Sequence, residues 1–367
     1  MSASTHPTKH LHACFRNEEI LLEGGRNLYA LLRAFLDQGY RITLDPELPG
    51  DPGRYGRLAL ELEGVTLADR PPATAAAPWL LHDGARPSRR QEWAKRIRVA
   101  WDIFSPYRSR APVLFPYPMH PLNNRPEVTA RLPGLRALPK TMGIFFAGDS
   151  EGYDRDRVRY PAPKLPRRRV LDVLERGLGE RLVKITEAHP QGPGLLPGLE
   201  ERFVLVDHAR APVAADAWLP TVARAHFFLA PPGIVMPMCH NIVEAMAVGT
   251  IPLTSYPEWF VPDLTPGRNC LVYEDEEDLL RKVHQALTME PAARARLRQG
   301  ALDYYQRHLL PAHAVAALER RPERNLILLM IGERNMARQA RRLGPASLII
   351  RGPRPRPAWW QRLRGNG

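Results

Sequence analysis

The 367-residue chain predicts an α/β protein with two Rossmann-like domains facing an interdomain cleft. Three observations predict it. Short apolar runs alternate with amphipathic helical stretches along most of the chain, the pattern of parallel strands joined by crossover helices. Gly24-Gly25 stands between an apolar run and a helical stretch, as in the strand–loop–helix–strand opening of a Rossmann-like domain. The segment 237–253, PMCHNIVEAMAVGTIPL, reads as loop, short helix, tight turn and buried strand. The length suits two domains of ordinary size.

The elements follow in order. Residues up to about His10 read as disordered, and 11–15 as the first strand. Gly24-Gly25 then precedes an amphipathic helix over 27–36, Gly39 ends it, and 40–44 is the next strand. Residues 46–78 are rich in Pro, Gly and Ala and hold two short apolar runs, 58–62 and 65–67. Trp79-Leu80-Leu81 reads as a buried strand running into His82-Asp83-Gly84, with further strands at 99–104 and 112–117. A proline-rich exit and a linker over 121–140 lead to a second series. Its strands are expected at 142–147, 182–185, 226–230, 251–253 and 270–273, and its helices at 168–177, 214–224, 276–287 and 291–308. The division expected is a first domain over 1–125, a second over 126–319, and a basic tail over 320–367 that is partly helical or disordered.

The short helix carries the chemistry. Pro237 can open or precede it, because its missing N–H is not needed there. His240 and Asn241 then fall in the first turn, where free amides and the positive dipole end favour an anion. Glu244 follows His240 by four residues, on the same face, while Ile242, Val243, Met246 and Ala247 form the apolar face. Gly249 is placed to end the helix in a left-handed turn. Such a layout suits a nucleotide: phosphate at the helix start, ribose hydroxyls on the carboxylate one turn along.

The string His-Asn-x-x-Glu-Ala-Met-Ala-x-Gly-Thr-Ile-Pro resembles the donor-binding segment of GT-B glycosyltransferases, most closely the exostosin-like forms, with the match running over about 141–310. The resemblance implies that Glu244 binds the ribose of a nucleotide sugar and that no metal or other cofactor is needed. It also implies that Gly24 and Gly25 form a loop facing the cleft, opposite Gly148 in the second domain. Arg155 and Arg157, after the Gly148-Asp149-Ser150 loop, suit the diphosphate because a guanidinium bonds two oxygens at once. Asp154-Arg155-Asp156 imitates an Asp-x-Asp metal motif but lacks supporting ligands. Retaining family-4 enzymes carry Glu-x7-Glu; here the first position is Met236, which favours an inverting enzyme or another subgroup. For the acceptor's base the candidates are His82 and Asp83, at the end of a first-domain strand, with His12 and His120 as alternatives.

The expected function is transfer of a sugar from a nucleotide-sugar donor to a glycan or lipid-linked acceptor, in cell-envelope polysaccharide or glycoconjugate synthesis. The rival readings are a sugar-nucleotide 2-epimerase on the same fold and a non-enzymatic binder built on the basic tail. The net charge of +13 resembles a nucleic-acid signal, but residues 320–367 hold 12 Arg against 2 Glu and so +10 of it. Nucleic acid is therefore not an expected partner. Trp359-Trp360 among arginines suits an anionic membrane surface instead. Three widely spaced cysteines, no signal-like N-terminus and no long apolar stretch predict a cytoplasmic protein, peripheral on the inner face of the membrane.

Overall fold

The structure, a computed structural model, describes residues 9–87, 92–103, 112–149 and 164–332. Two all-parallel sheets organise them.

The first sheet has the order β3-β2-β1-β4-β5-β13-β6. Its strands are β1 (Lys9–Cys14), β2 (Tyr40–Leu44), β3 (Val65–Leu67), β4 (Trp79–His82), β5 (Lys95–Ala100), β6 (Val113–Leu114) and β13 (Asn325–Leu329). The second has the order β12-β11-β10-β7-β9-β8. It is built from β7 (Met142–Gly148), β8 (Leu182–Ile185), β9 (Phe203–Asp207), β10 (Ala225–Ala230), β11 (Ile251–Thr254) and β12 (Leu271–Val272). Strand β7 is buried along nearly its whole length, as a central strand covered on both faces must be.

Helices α1 (Leu22–Leu36) and α2 (Gly53–Leu60) cover the first sheet, whose core draws on Leu28, Leu31, Leu32 and Phe35 of α1. The stretch between the sheets forms two short helices, α3 (Pro126–Thr129) and α4 (Leu132–Arg136). In the second domain come α5 (Arg167–Gly177), α6 (Ala215–Ala223), α7 (His240–Ala247), α8 (Glu276–Leu287) and α9 (Pro291–Tyr304). A widened π turn over Tyr305–Leu309 follows, and then α10 (Pro311–Arg320). One apolar cluster spans both domains, joining Ile103, Tyr117, Met119, Leu329 and Ile331 to the α6 and α7 side of the second sheet.

The tail reading needs correction, because folded structure does not stop at 319. Helix α10 places Ala314, Val315 and Leu318 in the first-domain core. Strand β13 then inserts between β5 and β6, with Leu326, Leu328 and Leu329 buried. Lys95 on β5 donates to the carbonyls of Leu318 (2.7 Å) and Glu319 (3.1 Å), satisfying the last turn of α10. The tail from 333 onward lies outside the described residues. Among the described residues, no helix is long and apolar enough to cross a membrane.

Candidate functional site

In the second sheet the connections after β7 and after β10 run to opposite sides, so the adjacent ends of these strands form a topological switch point. Open parallel sheets bind ligands in that crevice. Two helix starts converge on it, α5 after β7 and α7 after β10.

Arg167 is the first residue of α5 and is buried. Its guanidinium donates to the Asp149 carbonyl (2.9 Å), just beyond Gly148 at the end of β7. Its positive charge acts on Cys239 and His240 at the start of α7. The helix starts one residue before the expected 168, and Arg167 is the residue this adds. The arginines expected at the diphosphate, Arg155 and Arg157, lie outside the described residues, as do Asp154 and Asp156.

At α7, Cys239 occupies the cap in an extended conformation. Its sulfur, a weak acceptor, faces the Asn241 and Ile242 amides, so the cap is a sulfur rather than an oxygen. Asn241 is half-buried in that turn, and so is His240, whose ring stands 5.0 Å from that of His120. Burial, then the nearby Arg26, His120 and Arg167, push the His240 pKa well below the ordinary imidazole value. His120 is lowered to about 4 by burial, then by Arg26 and Arg54. Both rings are therefore neutral near pH 7. The His120 Nδ1 accepts the Leu122 N–H (3.3 Å), which leaves its hydrogen on Nε2, available to donate.

The first domain supplies the facing wall. Glu23, Gly24 and Gly25 have φ of 52, 69 and 84°, a left-handed turn at the start of α1. Arg26 follows, bonded to Glu23 and to the Tyr117 hydroxyl. Tyr55 of α2 packs edge-on against His120 at 4.9 Å between centroids. Glycine is required here by packing: a Cβ on Gly53 would meet the Gly24 Cα at 2.7 Å, and one on Gly25 would meet the Gly56 Cα at 2.6 Å.

Glu244 lies one turn after His240, as the spacing predicts, yet it is 0% exposed. Its Oε1 accepts the His120 N–H (2.9 Å) and the Asn123 Nδ2–H (3.0 Å). Its Oε2 accepts the Trp218 indole N–H (2.5 Å). The carboxylate expected to meet ribose is thus engaged by the interdomain linker and by α6. Burial raises its pKa to about 7, against the opposing pull of those donors and of Arg26.

The base candidates are differently employed. Asp83 Oδ2 accepts two amides from the end of β1, Arg16 N–H (2.8 Å) and Asn17 N–H (2.6 Å), and Oδ1 accepts from Ala85 (3.2 Å). It ties the ends of β1 and β4 together at the switch point of the first sheet. The His82 Nδ1 accepts the Gly84 N–H (3.2 Å). His12 is wholly buried in β1, stacked on Trp93 at 5.6 Å, which removes it from the cleft. Of the four, only His120 joins the group around His240. Among the described residues no cluster of three His, Cys, Asp or Glu side chains could hold a metal ion.

Residues 184–320 match a protein family described as glycosyl transferase-like. No curated protein matches the chain in sequence. Among solved structures, an alpha-glucosyltransferase in complex with UDP aligns at 11% identity and TM-score 0.40, over 84% of this chain and 98% of its own. The Anabaena protein HepE in complex with UDP aligns at 12% identity and TM-score 0.44, over 85% and 98%. A sucrose-phosphate synthase from Thermosynechococcus elongatus aligns at 12% identity and TM-score 0.39, over 85% and 98%.

Proposed function

We propose that the protein is a glycosyltransferase that takes a sugar from a nucleoside diphosphate sugar bound between its two domains. The observation that carries this is the convergence at one crevice of the α7 start, Arg167 and His240 from one domain with Arg26 from the other. Cations from both domains and the weakly capped amides of α7 suit a diphosphate, the group whose negative charge grows as the glycosidic bond breaks. The match of residues 184–320 to a glycosyl transferase-like family supports the same reading.

In this proposal Arg26 and Arg167 neutralise the leaving diphosphate, and neutral His240 and His120 add hydrogen bonds without adding charge. Charge stabilisation is assigned to these residues and to no metal. Glu244 serves the ribose. The acceptor is a hexosyl-accepting glycan or lipid-linked sugar of the cell envelope, approached from the first-domain wall of Glu23, Arg26 and Tyr55. The arginine- and tryptophan-bearing tail holds the enzyme at an anionic membrane surface.

Screening nucleoside diphosphate sugars by thermal shift tests the core of this reading. A ligand at 100 times its dissociation constant stabilises by about 2.7 kcal/mol. A stabilising donor should then be consumed only when an acceptor is present. An epimer formed from donor alone would instead identify a sugar-nucleotide epimerase, and no stabilisation by any donor would reject the nucleotide site.

A further inference from the structure

We infer that the 120–123 turn of the interdomain linker occupies the place of the donor's ribose, and that the ribose hydroxyls displace it from the Glu244 carboxylate. This rests on the reading of the crevice as a nucleotide site. With the diphosphate at the first turn of α7, the ribose comes one turn along, on the face shared by His240 and Glu244. That place is taken. Two N–H donors of the linker turn, from His120 and Asn123, converge on the same oxygen at 2.9 and 3.0 Å. A ribose diol would present two hydroxyl donors to the same oxygen.

Nothing can reach Oε1 while the turn stays, because the carboxylate has no exposure. Trp218 holds the other oxygen from within the second domain. In either state the carboxylate keeps its full set of donors, so the exchange leaves no buried charge unsatisfied. There is room for the withdrawal. Asn123 also lines a cavity of about 250 Å³, with Leu122, Arg125, Asp216 and Leu219. The Asp216 carboxylate is among the groups lining that cavity. The same turn carries the His120 ring, set between Tyr55 of the first domain and His240 of the second. Ribose binding would therefore also part the rings and uncover His240.

Two measurements test this with UDP and its 2′,3′-dideoxy analogue as probes. The first follows amide hydrogen exchange in the wild-type chain, where UDP should expose the His120 amide and the dideoxy analogue should not. The second measures binding to Asn123→Leu, which removes one competing donor. UDP should bind this variant about tenfold more tightly, and the dideoxy analogue unchanged. If UDP binds while His120 stays protected and the variant gains nothing, the turn is a fixed wall and the inference falls, with the nucleotide site intact. If no nucleoside diphosphate, UDP included, binds either protein at millimolar concentration, the nucleotide reading falls and the inference with it. Should Asn123→Leu not fold, the wild-type exchange alone decides.

Discussion

At the scale of single residues, Glu244 is under opposed demands, since burial disfavours its charge while three N–H donors favour it. Burial wins and the pKa rises from 4.5 to about 7. Between those values the folded protein holds a proton that the unfolded chain has released, so stability falls as pH rises through the window and levels off above it. The full shift corresponds to about 3 kcal/mol. Glu244→Gln abolishes the titration, although its amide must set its NH2 against the donors on one side or the other. The unfolding free energy of the wild type minus that of the variant should therefore fall from pH 4.5 to 7 and stay constant beyond, as read by denaturant titration at each pH. A difference flat with pH would mean that the carboxyl titrates normally. Arg167 sets a second test. Arg167→Lys keeps the charge but loses the planar fork, so the nucleoside diphosphate selected by a donor screen should bind about tenfold more weakly while its nucleoside is unaffected. Equal weakening of the nucleoside would assign Arg167 to the fold alone. The spacing of His240 and Glu244 was legible in sequence because both lie on one short helix. The partners of Glu244 were not, because His120 and Trp218 stand 124 and 26 residues away and only the tertiary fold brings them in.

At the scale of elements, the glycine turn of α1 and the start of α2 lock together. Gly25 has φ of +84° and no space for a Cβ, whereas Gly39 has φ of +78° with nothing within 4 Å. Alanine at either position carries the left-handed penalty of about 1–2 kcal/mol. Only Gly25→Ala must also push the α2 backbone aside. Gly25→Ala should thus destabilise by clearly more than Gly39→Ala in urea, and equal losses would mean that the two helices yield easily. Gly24-Gly25 was visible in sequence as a turn, but its partner Gly53 sits in a stretch whose prolines and glycines read as loop. Helix α2 forms there because packing on α1 outweighs weak local propensity. Strand β9, residues Phe203–Asp207, was passed over for a different reason. Its five-residue run is short and shows no alternation, and it is fixed by pairing on both sides with β7 and β8. By contrast α8 was placed to the residue, since Asp275 caps it through the Asp278 amide (2.8 Å) and its apolar spacing is regular.

At the scale of the molecule, the chain crosses between the two sheets twice, through the linker after β6 and again through the π turn into α10. The second crossing was hidden because the run that forms β13 stands among arginines and so read as the start of a tail. Its apolar residues were the available signal, and their burial between β5 and β6 explains their use. The consequence is a sharp dependence on where the chain is cut. Ending it after Arg320 removes Leu326, Leu328 and Leu329 from the core, each buried leucine worth about 1.5–3 kcal/mol. It also strips β6 of its neighbour in the sheet and removes Arg324, whose guanidinium donates to the Trp93 carbonyl (2.9 Å). That chain should lose cooperative unfolding of its first domain in guanidinium, followed by circular dichroism and tryptophan fluorescence. A chain ending after Gly332 keeps every described element and should retain the wild-type midpoint. The shorter cut is therefore the one that isolates the basic segment, since it removes nine arginines together with Trp359 and Trp360. If those residues hold the protein to a membrane, the chain ending at Gly332 should keep its nucleotide affinity and lose binding to vesicles containing anionic lipid. Vesicle binding that survives the cut would move the membrane contact to the folded domains, and a fall in nucleotide affinity would place part of the tail at the cleft.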